Sequence, residues 1–371
     1  MNDMNVPFVN LGIQNRLIRE ELLESISGVL DSGQFILGEE LTRFEAAFAR
    51  LCGTKYAVGV ANGTDALFLA MKALGIGQGD EVITAPNSFL ASASSIHLAG
   101  GTPVFADVRE DFNIDPEQVR RRITPRTKAI MPVHLTGRPA DMEAILAIAR
   151  EHGLAVIEDC AQAVAATYMG KPVGSFGDAG CFSLHPLKNL SVCGDGGIIT
   201  TNHDHLYEKL LKARNHGLRN RDECEFWSYN SRLDNLHAAM LNVKLKYLPA
   251  WTERRRAIAA FYTARLQGHP VIVPADMPAG KAVYHTYIIQ TDRRDELKHY
   301  LAKKKIDTKI HYPIPIHLQD AARDLGYRRG DFPVTERQAE TILSLPVYPE
   351  LTNHQVEYVA DTINSFFKGN G

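Results

Sequence analysis

The chain has 371 residues, 45% of them hydrophobic and 23% charged, with a formal net charge of −2. This is the composition of a folded globular protein long enough for more than one core, and so balanced a charge argues against a nucleic-acid partner. Cys52, Cys160, Cys181, Cys193 and Cys224 form no CxxC pair, no apolar stretch reaches membrane-span length, and Met1 to Pro7 lacks a signal region, so a reducing, cytoplasmic setting is expected.

From about residue 55 to 245 the pattern alternates between strand and helix. Apolar runs at Ala57–Val60, Glu81–Thr84, Thr102–Phe105, Ala129–Val133 and Leu154–Ile157 read as buried strands. A helix opens at Asn62, with Leu67, Ala70, Met71 and Leu74 on one face, and another spans Met142–His152 with Gly153 to end it. Two further strands, Cys181–Leu184 and Ile198–Thr201, flank a glycine-rich turn. Beyond Leu248 the pattern changes to a helix at Trp251–Leu266, a strand at Tyr284–Gln290, a helix at Arg293–Lys304 and a last helix at Gln355–Phe367. The alternation predicts an α/β fold with a mostly parallel sheet over 1–248 and a smaller α+β unit over 249–371.

Ligands of open α/β sheets sit at the carboxyl ends of the strands, so the residues leaving each strand carry the functional signal. Four exits are informative. In "ANGTDAL", Asn62 can cap a helix and Asp65 can complete a capping box, while Gly63 and Thr64 offer amides and a hydroxyl to a phosphate; alone, the turn reads as a capped helix. In "APNSF", Phe89 can cover a planar ligand, although alone it reads as core. In "LAVIEDCAQA", Glu158 and Asp159 must face opposite sides of a strand, and a buried carboxylate needs a salt bridge, a helix cap or a charged ligand nitrogen. In "CFSLHPLKN", Ser183 can add a hydroxyl to a phosphate cup, and Lys188, bracketed by apolar strands, is expected to point inward and lose its proton. A neutral amine is a nucleophile toward carbonyls.

Together these exits describe a planar ring bearing a phosphate, a protonated ring nitrogen and an aldehyde, which is pyridoxal 5′-phosphate, with Asp159 holding the pyridinium and Lys188 forming the Schiff base. Neither GxxxxGK[ST] nor GxGxxG follows a strand, which disfavours nucleotide sites of those types.

"SGQFILGEEL", "ANGTDAL", "GDEVITAPNSF", "VIEDCAQAVAATYMGKPVGSFGDAGCFSLHPLKN", "GDGGIITTN", "NSRLDNLHAAM" and "HYPIPIHLQ" resemble the DegT/DnrJ/StrS family of sugar aminotransferases over nearly the whole chain. The resemblance implies a type I pyridoxal-phosphate transferase, three-layer and related to aspartate aminotransferase. It implies Lys188 as the cofactor-bound lysine and proton carrier, Gln162 as the partner of the ring hydroxyl, Gly63, Thr64 and Ser183 as the phosphate cup, and Phe89 as the stacking ring. It further implies that Asn230 reaches the phosphate of a second subunit, so that a homodimer shares its sites, and that His185 lies near the cofactor. His311, Tyr312 and His317 are candidate substrate contacts, or ordinary loop packing. The implied reaction is ping-pong transamination from an amino donor, glutamate, to a nucleotide-linked keto-sugar. A sugar dehydratase or aminocyclitol aminotransferase of the same fold, or a non-catalytic regulator, is the alternative. Some dehydratases of this fold replace the lysine by histidine, so Lys188 favours transamination.

Overall fold

The computed structural model describes residues 4–275 and 277–369. A seven-stranded sheet runs in the order Tyr56–Val60, Gly197–Thr201, Ala179–Ser183, Ala155–Asp159, Thr127–Met131, Glu81–Thr84, Thr102–Phe105. Gly197–Thr201 is antiparallel to both neighbours, and every other adjacent pair is parallel. The central strands are buried on both faces, which is why they appear in the sequence as apolar runs rather than alternations. Successive residues feed opposite cores: Phe182 and Ile198 join Phe44, Phe48 and Leu241 on one side, while Cys181 and Ile199 join Leu67, Met71 and Ile157 on the other. This is the three-layer arrangement that the sequence pattern implies.

Several boundaries move for local reasons. The strand expected at Ala129–Val133 runs instead from Thr127 to Met131, because Pro132 has no N–H for the ladder and Val133 keeps only an isolated bridge to Asp159. The strand expected to end at Ile157 continues to Asp159, which places that carboxylate at its carboxyl end. The strand expected from Tyr284 begins only at Tyr287, since Tyr284 adopts a positive φ of 47° and Val283 and Thr286 bond instead to Gly137 and Thr136. The 142–152 helix forms as expected, with Asp141 capping Ala144 N and Gly153 left-handed at φ 65°. Three helices precede the sheet, Leu11–Leu17, Arg19–Ser32 and Glu39–Cys52, in a stretch where the sequence pattern assigned nothing.

Toward the C-terminus, Tyr287–Gln290 pairs antiparallel with Ile342–Leu345. The helices Leu248–Leu266, Arg294–Lys303 and Asn353–Lys368 close over a core of Tyr262, Tyr287, Leu297, Leu343 and Ile363. Val6 from the N-terminal arm enters this same core and bridges Ile306. Among the described residues no helix is long and apolar enough to cross a membrane.

Candidate active site

Asp159 and Ser183 are the last residues of adjacent parallel strands, and the turns after Val60, Thr84 and Met131 open at the same end of the sheet. The Gly63–Ala73 helix begins here, with the Asn62 side chain accepting from Asp65 N at 2.8 Å. Asp65 does not complete a capping box: its Oδ2 accepts from Ser231 Oγ at 2.6 Å. Glycine is required at 63 by close approach, since a Cβ there would lie 2.6 Å from Ser183 Cβ. The helix start, with its unpaired amides, is therefore drawn against the Ser183 strand end, which makes a cradle of the right chemistry for a phosphate.

Asp159 is 4% exposed. Its Oδ2 accepts from Ser92 Oγ at 2.8 Å and its Oδ1 from Ala161 N at 3.1 Å. Ser92 spends its proton on Asp159 and so accepts from Ser88 Oγ, 2.7 Å away. No cation among the described residues is ion-paired with Asp159; burial raises its pKa, against the pull of the Ala161 and Ser92 hydrogen bonds, Lys188 and His134. The neighbouring Glu158 turns the other way, as strand alternation requires. Its carboxylate accepts from the backbone N–H groups of Gly174, Phe176 and Gly177 and lies 3.0 Å from His134 Nε2. Since His134 Nδ1 accepts from Ala140 N, the ring proton sits on Nε2 and is donated to Glu158. His134, Glu158 and Cys160 lie together, but the first two are fully committed to one another and to the backbone.

Lys188 is half-buried on the loop between Ala179–Ser183 and Gly197–Thr201, where its N–H closes a turn onto His185 O at 2.8 Å. Burial pulls its amine down from 10.5 to about 8, although Asp159 acts the other way. Roughly a tenth of the amine is thus unprotonated at pH 7, far more than for a free lysine, and this is the state that attacks carbonyls.

The other predicted residues fall around this pair in different ways. Gln162 is buried, with Oε1 accepting from Thr136 N at 2.6 Å, and the Tyr312 hydroxyl bonds to its side chain. Phe89 is 54% exposed rather than core, and its ring centroid lies 5.7 Å from that of Tyr312. Burial and nearby Asp159 push Tyr312 up to about 12. His311 bonds Ser344 Oγ through Nδ1 at 2.9 Å and is held down at about 4 by burial, Lys188 and Lys309. His185 is exposed, its Nδ1 accepting from Leu187 N at 3.3 Å. His317 is buried in the Ile316–Leu318 helical turn and packs against the 330–336 stretch, with Nε2 3.0 Å from Glu336 Oε1 and its ring against Phe332. Thr64 is half-buried in the first turn of the 63–73 helix. Asn230 is exposed beside Ser231, whose hydroxyl accepts from Ala61 N at 3.2 Å.

Ser92, Thr136, Asn189 and His285 also belong here and escaped the sequence reading. Ser92 is one of several serines in "SFLASASS", and only the placement of the Leu90–Ala99 helix against the Asp159 strand end selects it. A cavity of about 740 Å³ is lined by Phe112, Thr136, Arg138, Tyr284, Thr286 and Ile288 but by none of Lys188, Asp159 and Gln162.

Sheet order, strand-end acid and inward lysine together define a type I pyridoxal-phosphate transferase of the aspartate-aminotransferase architecture. The model of the DegT/DnrJ/EryC1/StrS aminotransferase family matches residues 16–364, and the chain belongs to that family. It is 45% identical to a "pleiotropic regulatory protein" of Geobacillus stearothermophilus, over 98% of this chain and 99% of that one. It is 43% identical to the dTDP-3-amino-3,4,6-trideoxy-alpha-D-glucose transaminase of Streptomyces venezuelae, over 97% and 96%. Among solved structures, S. venezuelae DesV in complex with a ketimine intermediate superposes with a TM-score of 0.96, at 42% identity and covering 98% of this chain and 99% of that one.

Proposed function

We propose that this chain is a pyridoxal-phosphate-dependent aminotransferase that moves an amino group, from glutamate, to a keto-sugar carried on a nucleotide. The cofactor is pyridoxal 5′-phosphate. The residues fit it: Gly63 leaves a cradle beside Ser183 that any larger side chain would fill, Asp159 is a buried acid with no ion-paired cation among the described residues, and burial lowers the Lys188 amine to about 8. Bound there, the cofactor supplies a carbonyl that condenses with amines and a ring that accepts an electron pair.

The chain's own groups would act as follows. Lys188 Nζ would hold the cofactor at its carbonyl carbon, and the same amine is placed to take and return the proton at the substrate carbon. Asp159 keeps the proton on the ring nitrogen. Ser92 and Ala161 N hold both carboxylate oxygens in place for that task. Gln162, oriented by Thr136, binds the ring hydroxyl. Gly63, Thr64 and Ser183 bind the phosphate, and Phe89 covers the ring. Tyr312, His311 and His185 line the approach for substrate. His317 acts from behind, by fixing the 330–336 turn through Glu336.

Transfer to the sugar follows the same path in reverse, which makes the reaction ping-pong. The protein works as a cytoplasmic homodimer in which Asn230 reaches the phosphate of the second subunit. The exposure of Asn230, and of Trp227 at 96%, supports that reading. Its large unit spans 1–248 and its small unit 249–371.

The observation that carries the proposal is the buried Asp159 acid at a strand end together with a Lys188 amine whose pKa burial lowers to about 8. Incubating the purified, cofactor-loaded chain with glutamate should yield pyridoxamine phosphate and 2-oxoglutarate by mass spectrometry. Lys188→Ala should abolish turnover while still binding pyridoxamine phosphate. A chain that never forms pyridoxamine phosphate with any amino donor would instead be a regulator, as the name of the Geobacillus relative suggests. Loss of oxygen from the sugar without gain of an amine would make it a dehydratase.

A further inference from the structure

Lys188 is followed by Asn189, which is only 8% exposed. Both ends of its carboxamide are spent on one short segment from the far part of the chain. Nδ2 donates to Val283 O at 3.2 Å, and Oδ1 lies 3.3 Å from His285 Nδ1. An amide oxygen can only accept, so His285 carries its proton on Nδ1 and leaves Nε2 free of one. The ring is also neutral. Burial, with Lys188, Arg255, His311 and His185 around it, holds its pKa well below the usual histidine value.

The 283–286 segment is itself fastened to the site. Val283 N donates to Gly137 O at 2.9 Å and Thr286 N to Thr136 O at 3.4 Å, while Thr136 N donates to Gln162 Oε1 at 2.6 Å. The buried Arg255 donates to Tyr284 O at 3.3 Å and to Val347 O at 2.5 Å. Nothing larger than glycine fits at 137, where φ is 86° and a Cβ would lie 2.7 Å from Val283 Cγ2 and 3.0 Å from His285 N. A continuous chain of hydrogen bonds therefore runs from Gln162 through 136–137 and 283–285 to the residue beside the lysine.

We propose that Asn189 and His285 are positioning residues that clamp the lysine loop to the 283–286 segment and hold the Lys188 amine inward. This rests on the reading of Lys188 given above. A flexible four-carbon side chain cannot aim itself, and its head is drawn outward to water unless its backbone is fixed. Asn189 supplies that fixation one residue away. His285 supplies the donor that keeps the carboxamide from turning over, and presents a neutral face so that no further cation is added beside the amine.

The test reads the lysine with and without the cofactor. In the cofactor-free chain, Lys188 is titrated by NMR after reductive ¹³C-methylation, with Lys188→Met to assign the signal. In the loaded chain, kcat and KM for glutamate are measured. Asn189→Ala and His285→Leu should each raise the Lys188 midpoint by about one pH unit or more as the amine gains water. They should lower kcat by roughly tenfold or more with KM changed less than about threefold. His285→Asn, which keeps a donor at the place of Nδ1, should restore most of both. Should Asn189→Ala fail to fold, the two His285 variants decide alone. An unchanged midpoint and kcat in His285→Leu, or a His285→Asn no better than His285→Leu, overturns the clamp. A wild-type Lys188 that titrates near 10.5 and takes up no cofactor would instead overturn the aminotransferase reading itself.

Discussion

Replacing Lys188 by methionine in the cofactor-free protein should change stability in a pH-dependent way whose sign follows from burial. The amine is pulled from 10.5 to about 8 in the folded chain. Below pH 8 it is charged in folded and unfolded chains alike, and the folded state carries the cost of a poorly hydrated ammonium. Between about 8 and 10.5 the unfolded chain binds the extra proton, so stability rises with pH. Above 10.5 both forms are neutral and the cost is gone. The full displacement corresponds to roughly 3 kcal/mol at 1.36 kcal/mol per pH unit. Lys188 keeps some contact with solvent, which reduces the expected effect to roughly 2 kcal/mol. Methionine has nearly the same length and no charge, so the difference between the two proteins isolates the amine. Urea denaturation of both, from about pH 7.5 to 10.5, should show the methionine variant ahead at the lower pH and the wild type gaining on it by roughly 2 kcal/mol across the range. A difference that stays flat within about 0.5 kcal/mol would refute a buried lysine whose pKa is lowered by burial.

Asp159→Asn removes a charge whose attraction to a ring cation about 4 Å away is worth roughly 4 kcal/mol at an effective dielectric near 20. The glutamate half-reaction, followed by stopped-flow absorbance, should slow by roughly 100-fold or more, and a loss under tenfold would contradict the assigned role. Gly63→Ala places a Cβ 2.6 Å from Ser183 Cβ. The helix start and the strand end must part, so cofactor affinity by fluorescence titration should fall roughly tenfold or more, and an unchanged affinity would remove Gly63 from the phosphate cup. His134→Ala takes the side-chain donor from a wholly buried Glu158, which should cost roughly 1–3 kcal/mol in denaturant unfolding without acting on the chemistry directly; a neutral result would mean that the three backbone N–H groups suffice.

Much of the site is legible in the sequence because its members are local to strand exits. Strand alternation alone requires Glu158 and Asp159 to part company, but which of them meets the cofactor depends on the 174–177 turn that takes up Glu158, a contact across the sheet. Asn62 reads as a helix cap from its own neighbours and is one; Asp65 reads as its partner in a capping box and is not, because Ser231, far along the chain, offers a better donor. Phe89 looks like core by residue type and is half exposed, since type says nothing about what covers a position. The clamp was invisible for the same reason. Nothing in "LKNL" or "VYHTY" shows that Asn189 and His285 meet. The helices before residue 55 did carry a signal, since Leu22, Ile26, Val29 and Leu30, and then Leu41, Phe44 and Phe48, recur at helical spacing.

The arm at Val6 has a consequence for the order of assembly. Its backbone exchanges hydrogen bonds with Lys305 and Asp307, and Asn5 O accepts from Gln355. The backbone at Val6 therefore stays unpaired until the distant 305–307 and 355 segments have been made and folded, so docking of this arm follows the folding of the region it seals.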